Sequence, residues 1–261
     1  MANDHTPAAG GALDRDVERA SALLGSATRV AVLTGAGIST DSGIPDFRGP
    51  NGVWTKNPKA ELMATLHHYL NDPEVRRLSW QSRLSMKAWD LQPNDGHRAL
   101  VRLEERGVLH TLVTQNVDAL HQKAGSDPAR IVEVHGTLHR ALCWSCRREF
   151  PMAPFVERVE AGEEDPDCPE CGGIIKSATI SFGQNLVPED IDRAFAAAEA
   201  CDLLLCVGTT LAVGPVNNMV PLAFRAGAPI VILNGGPTEM DSYATVKLDG
   251  SISALLPRIV G

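Results

Sequence analysis

The residues from Thr34 to Gly49 read TGAGISTDSGIPDFRG and follow the apolar run Arg29-Val-Ala-Val-Leu33. A turn such as Gly35-Ala36-Gly37 behind a strand lets the backbone approach a phosphate, with the following amides facing it. Thr40 stands where the third small residue of a dinucleotide fingerprint would fall, and no acid closes a second strand about twenty residues on, which disfavours hydride transfer. In place of an apolar helix comes Asp46-Phe47-Arg48, a carboxylate, an aromatic face and a guanidinium in one loop. Residue types alone leave two readings open: a ligand loop, or a core plug flanked by a surface ion pair.

Other polar clusters also sit behind apolar runs. Thr114-Gln115-Asn116-Val117-Asp118-Ala-Leu-His121 follows Leu109 to Val113, and His135-Gly136 follows Ile131 to Val134. Buried amides and carboxylates cost free energy unless partnered, and a helix cap accounts for one of Gln115, Asn116 and Asp118 but not for all three. A lone histidine is more often structural than catalytic, but one at a strand end beside glycine is better placed than most to move a proton. Gly208-Thr209-Thr210 and Asn234-Gly235-Gly236 close two further runs. Cys143-Trp-Ser-Cys146 and Cys168-Pro-Glu-Cys171 form two C-x-x-C knuckles, whereas Cys201 and Cys206 lie in apolar context. In a reducing compartment such knuckles read as one zinc site with four cysteine ligands, closed and structural, rather than as disulfides.

These groups need a frame. Short continuous apolar runs at 29–33, 109–113, 131–134, 180, 203–207, 230–233 and 245–248 suit strands covered on both faces. Helical patterns at 14–24, 96–106 behind an Asp95 cap, 189–200 and 215–226 separate several of them, which predicts an α/β, doubly wound parallel sheet. The strand ends would then share one rim, where ligands of such sheets bind. Residues 54–89 read as two or three helices, and 137–177 hold the cysteines in a weakly periodic stretch; both look like insertions building a smaller domain. The expected organisation is a flexible arm at 1–12, a main domain from 13–53, 90–136 and 178–261, and the small domain from 54–89 and 137–177.

The chain has 261 residues, 44% of them hydrophobic, with 24 basic and 32 acidic side chains for a formal charge of -8. That composition suits a soluble globular protein and argues against direct nucleic-acid binding. No apolar run approaches a membrane span, and the start lacks signal-peptide character, so a cytoplasmic location is expected.

In order and spacing, GAGISTDSGIPDFRG at 35–49, TQNVDALH at 114–121, HG at 135–136, the C-x-x-C pairs and GTTLAVGP at 208–215 resemble the sirtuin family of NAD-dependent protein deacylases. The resemblance covers roughly residues 13 to 260. It implies a Rossmann-like domain with an inserted zinc-binding and helical domain, NAD and one structural zinc. By that similarity Ala36 and Gly37 meet the pyrophosphate; Asp46, Phe47 and Arg48 shape the nicotinamide end; Gln115, Asn116 and Asp118 line the nicotinamide-ribose pocket. Gly35, Thr40 and Trp54 join the cofactor set. Gly208, Thr209 and Thr210 contact the adenosine side, Asn234 its ribose, and Ile252 beside Ser251 an adenine-side loop, while Gly235 and Gly236 also join the cofactor set. The catalytic set is His135, Asn116 and Asp118, with His135 as general base toward a ribose hydroxyl. The implied reaction moves an acyl group from lysine to ADP-ribose, releasing nicotinamide and O-acyl-ADP-ribose.

The resemblance further implies that an acyl-lysine protein or peptide pairs as an added strand between Ile180-Ser-Phe182-Gly183 and Leu211-Ala-Val213-Gly214. Three departures stand out: Gln184 replaces a common glutamate, Thr210 replaces a serine, and Trp80-Gln-Ser-Arg83 lies near the Tyr-x-x-Arg pair of sirtuins that prefer acidic acyl groups. With Arg83 present and the tyrosine absent, acetyl or longer apolar acyl groups are expected. Rival readings are mono-ADP-ribosyl transfer from the same NAD site, removal of acidic or long-chain acyl groups, and a noncatalytic NAD-binding module.

Overall fold

A run of apolar residues without alternation becomes a strand only if both its faces are covered, and that is what the strands of this chain do. The computed structural model describes residues 9–46, 52–56, 59–86 and 90–261. In chain order its strands are β1 (Val30–Thr34), β2 (Leu109–Thr114), β3 (Ile131–Glu133), β4 (Gly136–Cys143), β5 (Glu149–Pro151), β6 (Ile175–Thr179), β7 (Leu203–Val207), β8 (Ile230–Asn234) and β9 (Val246–Asp249). Six of them make one parallel sheet in the order β3-β2-β1-β7-β8-β9.

Successive β1 residues serve opposite faces. Val30 and Val32 join a cluster with Leu112, Leu205, Leu100 and Leu256, covered by helices Ala9–Ser26, Asp95–Glu105 and Ile252–Val260. Ala31 and Leu33 join a second cluster with Val113, Leu204, Ala197 and Met219, under helices Pro188–Ala200 and Met219–Arg225. Each Val or Leu side chain withdrawn from water contributes about 1.5–3 kcal/mol, so a charge at Leu33, fully buried, would break the layer.

The chain winds outward from β1 through β2 and β3, then returns to β7 on the other side of β1 and continues to β8 and β9. The loops after β1 and β7 therefore part at the sheet's topological switch point, the usual position of a ligand crevice. Thr34 pairs with both Thr114 and Val207, which aligns the carboxyl ends of β1, β2 and β7 on one rim.

The remaining strands form a three-stranded antiparallel sheet in the order β5-β4-β6. Among the described residues, helices Val53–Lys56, Lys59–Met63, Leu66–Asn71 and Pro73–Met86 make the other insertion. Trp80 of the last packs in one cluster with Cys143, Cys168, Phe155 and Ile175. Arg76 of the same helix pairs with Asp165 at 2.7 Å.

Local boundaries differ from the sequence reading at several points. The first helix begins at Ala9, inside the span expected to be a loose arm. The cap of helix Asp95–Glu105 is Asn94, not Asp95: its Oδ1 accepts from Gly96 N at 2.9 Å while its Nδ2 donates to Ile38 O at 2.8 Å. A carboxylate offers no such donor. Ile180 is not a strand of the parallel sheet; it follows β6, and its amide donates to His135 O at 2.8 Å. The small sheet starts at Gly136 and ends at Thr179, slightly beyond the expected limits on both sides.

Candidate active site

The glycine-rich turn after β1 leads into a 3-10 helix, Ala36–Ser42, and crosses directly under the loop after β7. Gly37 N donates to Gly208 O at 2.8 Å and Gly35 N to Val207 O at 3.1 Å. A Cβ on Gly37 would lie 2.7 Å from Gly208 Cα, and one on Gly208 would lie 2.3 Å from Ile38 N. These glycines are thus required first by the crossing of two backbones, a demand the motif alone does not reveal. Thr40 is exposed and its hydroxyl donates to Gly37 O at 3.0 Å.

At the end of β2 the polar residues separate into distinct tasks. Gln115 Nε2 donates to Thr209 Oγ1 at 2.9 Å, bridging the β2 and β7 loops. Asn116 Nδ2 donates to Gly35 O at 3.1 Å and to Ser39 Oγ at 3.2 Å. Asp118 accepts from Ser39 Oγ at 2.7 Å and from Leu120 N at 2.9 Å. Burial pushes the Asp118 carboxyl above its ordinary value, and those two hydrogen bonds hold it back.

His135 stands where β3 hands over to the small sheet. Its Nδ1 donates to Gln115 O at 2.9 Å, which leaves Nε2 as the unprotonated nitrogen. Burial lowers its pKa below the ordinary histidine value, against the opposing pull of the Gln115 carbonyl. Gly136 at φ 71° makes the turn possible, since a Cβ there would lie 2.0 Å from Ala178 O.

A layer of buried groups below this rim was not singled out in the sequence. Ser39 and His97 are fully buried. His97 Nδ1 accepts from Asn94 N at 3.3 Å, so its Nε2–H points to Ser39 Oγ at 3.4 Å. Burial, with Arg98 nearby, brings His97 down to about 4, so it is neutral at pH 7. The available signal was a histidine on the apolar stripe shared with Leu100 and Leu103.

The other expected contacts scatter. Asp46 is half-buried, its carbonyl accepting from Val53 N at 2.8 Å, while Phe47, Arg48 and the Trp54 side chain lie outside the described residues. Thr209 is buried and Thr210 exposed. Asn234 Nδ2 donates to Gly236 O at 3.0 Å, closing the loop that holds Gly235. Ile252, at the start of the last helix, has a side chain 6% exposed that packs in the sheet core toward Gly96.

Among the peptide-side residues, Ile180 and Val213 are half-buried and Phe182 is exposed. Phe182 N donates to Ala64 O at 2.8 Å and its carbonyl accepts from Leu66 N at 3.0 Å, tying this segment to the helical insertion beside Gly183. Arg83 does not face open space: its guanidinium lies 4.6 Å from the Trp80 ring centroid and reaches Met152 Sδ at 4.0 Å. Trp80 lies one turn earlier on the same helix and Met152 between β5 and helix Ala153–Glu160, and among the described residues no ion pair holds Arg83.

All four knuckle sulfurs lie within 4.8 Å of one another, with Cys143–Cys171 at 3.5 Å and Cys146–Cys168 at 3.8 Å. Tetrahedral zinc with bonds of about 2.3 Å sets sulfurs about 3.8 Å apart, so the cluster fits one ion with every ligand position filled. No described helix is long and apolar enough to cross a membrane.

Comparison with known proteins bears on this arrangement. Residues 35–215 match the model of the Sir2 family. The chain is 45% identical to NAD-dependent protein deacetylase 2 of Streptomyces coelicolor over 88% of this chain and 96% of that one. A solved structure described for the mechanism and regulation of Sir2 enzymes superposes with a TM-score of 0.86 at 35% identity, covering 95% of this chain and 97% of that one. A Sir2 complex with a p53 peptide and NAD+ does so at 0.80 and 30% identity, covering 91% and 94%. Alike in its motifs, in its two-sheet fold and along nearly its whole length, the chain belongs to the Sir2 family.

Proposed function

We propose that this protein is an NAD-dependent protein lysine deacylase that moves an acyl group from lysine to ADP-ribose. The observation that carries the reading is His135, at the carboxyl end of β3 on the same rim as Asn116 and Asp118, with Nδ1 engaged by Gln115 O so that Nε2 is left to accept a proton. The relative from Streptomyces coelicolor bears the name of the same activity.

NAD, when bound, supplies a ribose carbon made electrophilic by its nicotinamide leaving group. Gly35, Ala36, Gly37 and Gly208 belong to the pyrophosphate side, because they lie at the switch point where ligands of such sheets bind. Asn116 and Asp118, held through Ser39, orient the ribose hydroxyls. His135 Nε2 takes a proton from one of those hydroxyls, as a neutral imidazole can near pH 7. Asp46, Thr40, Gln115, Thr209, Thr210, Asn234, Gly235 and Gly236 complete the rim around the cofactor. Phe47, Arg48 and Trp54 belong to the same set by family resemblance.

The substrate is an acyl-lysine segment laid between Ile180–Gly183 and Val213. Acetyl or longer apolar acyl groups suit the site best, because Arg83 is committed to Trp80 and Met152. One zinc in the Cys143, Cys146, Cys168 and Cys171 cluster holds the small domain, and a cytoplasmic setting suits thiols that must stay reduced. Incubation of the purified protein with labelled NAD and an acetyl-lysine peptide is expected to release nicotinamide and O-acetyl-ADP-ribose in equal amounts. Label transferred to protein, or no NAD consumption with acetyl, succinyl and long-chain peptides alike, would refute the reading.

A further inference from the structure

Beneath the rim, His121 is 1% exposed and hydrogen-bonds through one nitrogen only. Thr34 Oγ1 donates to Thr114 Oγ1 at 2.8 Å, so His121 Nε2, 3.0 Å from Thr34 Oγ1, is the donor there. Thr114 Oγ1 in turn accepts from Asn116 N at 3.1 Å. Three consecutive hydrogen bonds therefore run from His121 through Thr34 and Thr114 to the Asn116 backbone. Thr34 is fixed from its other side too, because its carbonyl accepts from Gln115 N at 3.0 Å.

The second nitrogen of His121, Nδ1, is buried with no partner. A buried, unpartnered polar atom costs stability that a leucine or phenylalanine at the same place would not. Packing is thus a poor reason for a histidine at 121, and the bond made by Nε2 is the better one. The ring also lies 5.0 Å from that of His97, so His121 flanks the group that steadies Ser39, Asn116 and Asp118.

We propose that His121 is a positioning residue, whose Nε2–H fixes the Thr34 and Thr114 hydroxyls and through them the Asn116 backbone at the NAD site. The inference deepens the deacylase reading and rests on the role given there to Asn116.

His121→Phe and Thr34→Val each remove one member of the chain with little change in volume. Each is expected to lower kcat/KM for NAD about five- to tenfold, the loss of one buried hydrogen bond, and the double variant is expected to lose no more than the worse single one. In the NAD-free, zinc-loaded protein, hydrogen exchange of the Asn116 amide should quicken about fivefold or more in both variants. His121→Gln, which keeps a donor, should recover part of both effects. Losses that add fully in the double variant, or an Asn116 amide exchanging as in wild type, would overturn the proposal. If His121→Phe does not fold, Thr34→Val and Thr114→Val decide by the same two readouts. An inactive wild type would instead count against the deacylase reading, while the exchange measurement would still judge His121.

Discussion

The crossing of the β1 and β7 loops allows a test whose size follows from distances. In Gly208→Ala the added Cβ would lie 2.3 Å from Ile38 N, 2.7 Å from Gly37 C and 2.9 Å from Gly37 Cα. All three are backbone atoms, so no rotamer relieves the clash and the Gly37–Ile38 segment must retreat. Overpacking of that kind costs about 1–3 kcal/mol. Retreat breaks the bond from Gly37 N to Gly208 O, about 1 kcal/mol more. Alanine at φ 63° adds about 1–2 kcal/mol. The expected loss is therefore about 3 kcal/mol or more, together with a tenfold or greater loss of NAD affinity. Two controls separate the contributions. Gly107 has φ 75° with nothing within 4 Å, so Gly107→Ala should cost only the backbone part, about 1–2 kcal/mol. Gly35 has φ -134° but a Cβ there would lie 2.8 Å from Gly208 O, so Gly35→Ala should show the clash without the backbone cost. Urea unfolding of the zinc-loaded proteins and calorimetric titration with NAD measure both quantities. Gly208→Ala no less stable than Gly107→Ala, with wild-type NAD affinity, would refute the reasoning.

Further expectations follow from the buried histidines and the cysteines. His135→Ala should abolish turnover while leaving NAD binding by calorimetry within about threefold of wild type; near-normal turnover would remove His135 from the mechanism. Because burial lowers the His135 pKa, the acid limb of kcat/KM should have its midpoint below about 6.5; a midpoint well above that value contradicts the geometry. His97 is held at about 4 in the folded state against about 6.5 unfolded. Its contribution is present above pH 6.5 and is lost as pH falls toward 4, reaching about 3 kcal/mol at most. Wild type should lose more stability than His97→Gln between pH 7.5 and 5, and equal losses would show that His97 does not carry this linkage. Metal analysis should find one zinc per chain, and Cys143→Ala or Cys168→Ala should abolish its binding, unfold the small-domain cluster around Trp80 and reduce activity; a variant retaining stoichiometric zinc would refute the four-sulfur assignment.

Patterns set by neighbours in the chain were legible without coordinates. The runs at 203–207 and 230–233 announced doubly covered strands because every residue in them is apolar, and β7 and β8 occupy those positions. Parallel strands put their carboxyl ends on one edge, so the motifs at 35, 115, 135, 208 and 234 reach a common rim. The C-x-x-C spacing likewise brings two sulfurs together within each knuckle. What the chain alone did not disclose depends on partners far apart in sequence. The glycines at 37 and 208 meet each other, His97 finds Ser39, and His121 finds Thr34. Arg83 reaches Met152, and Ile252 packs in the core cluster with strands of the large sheet. The physical reason is that residue type states what a polar group can donate or accept, whereas burial and the third dimension decide which atom receives it and at what distance.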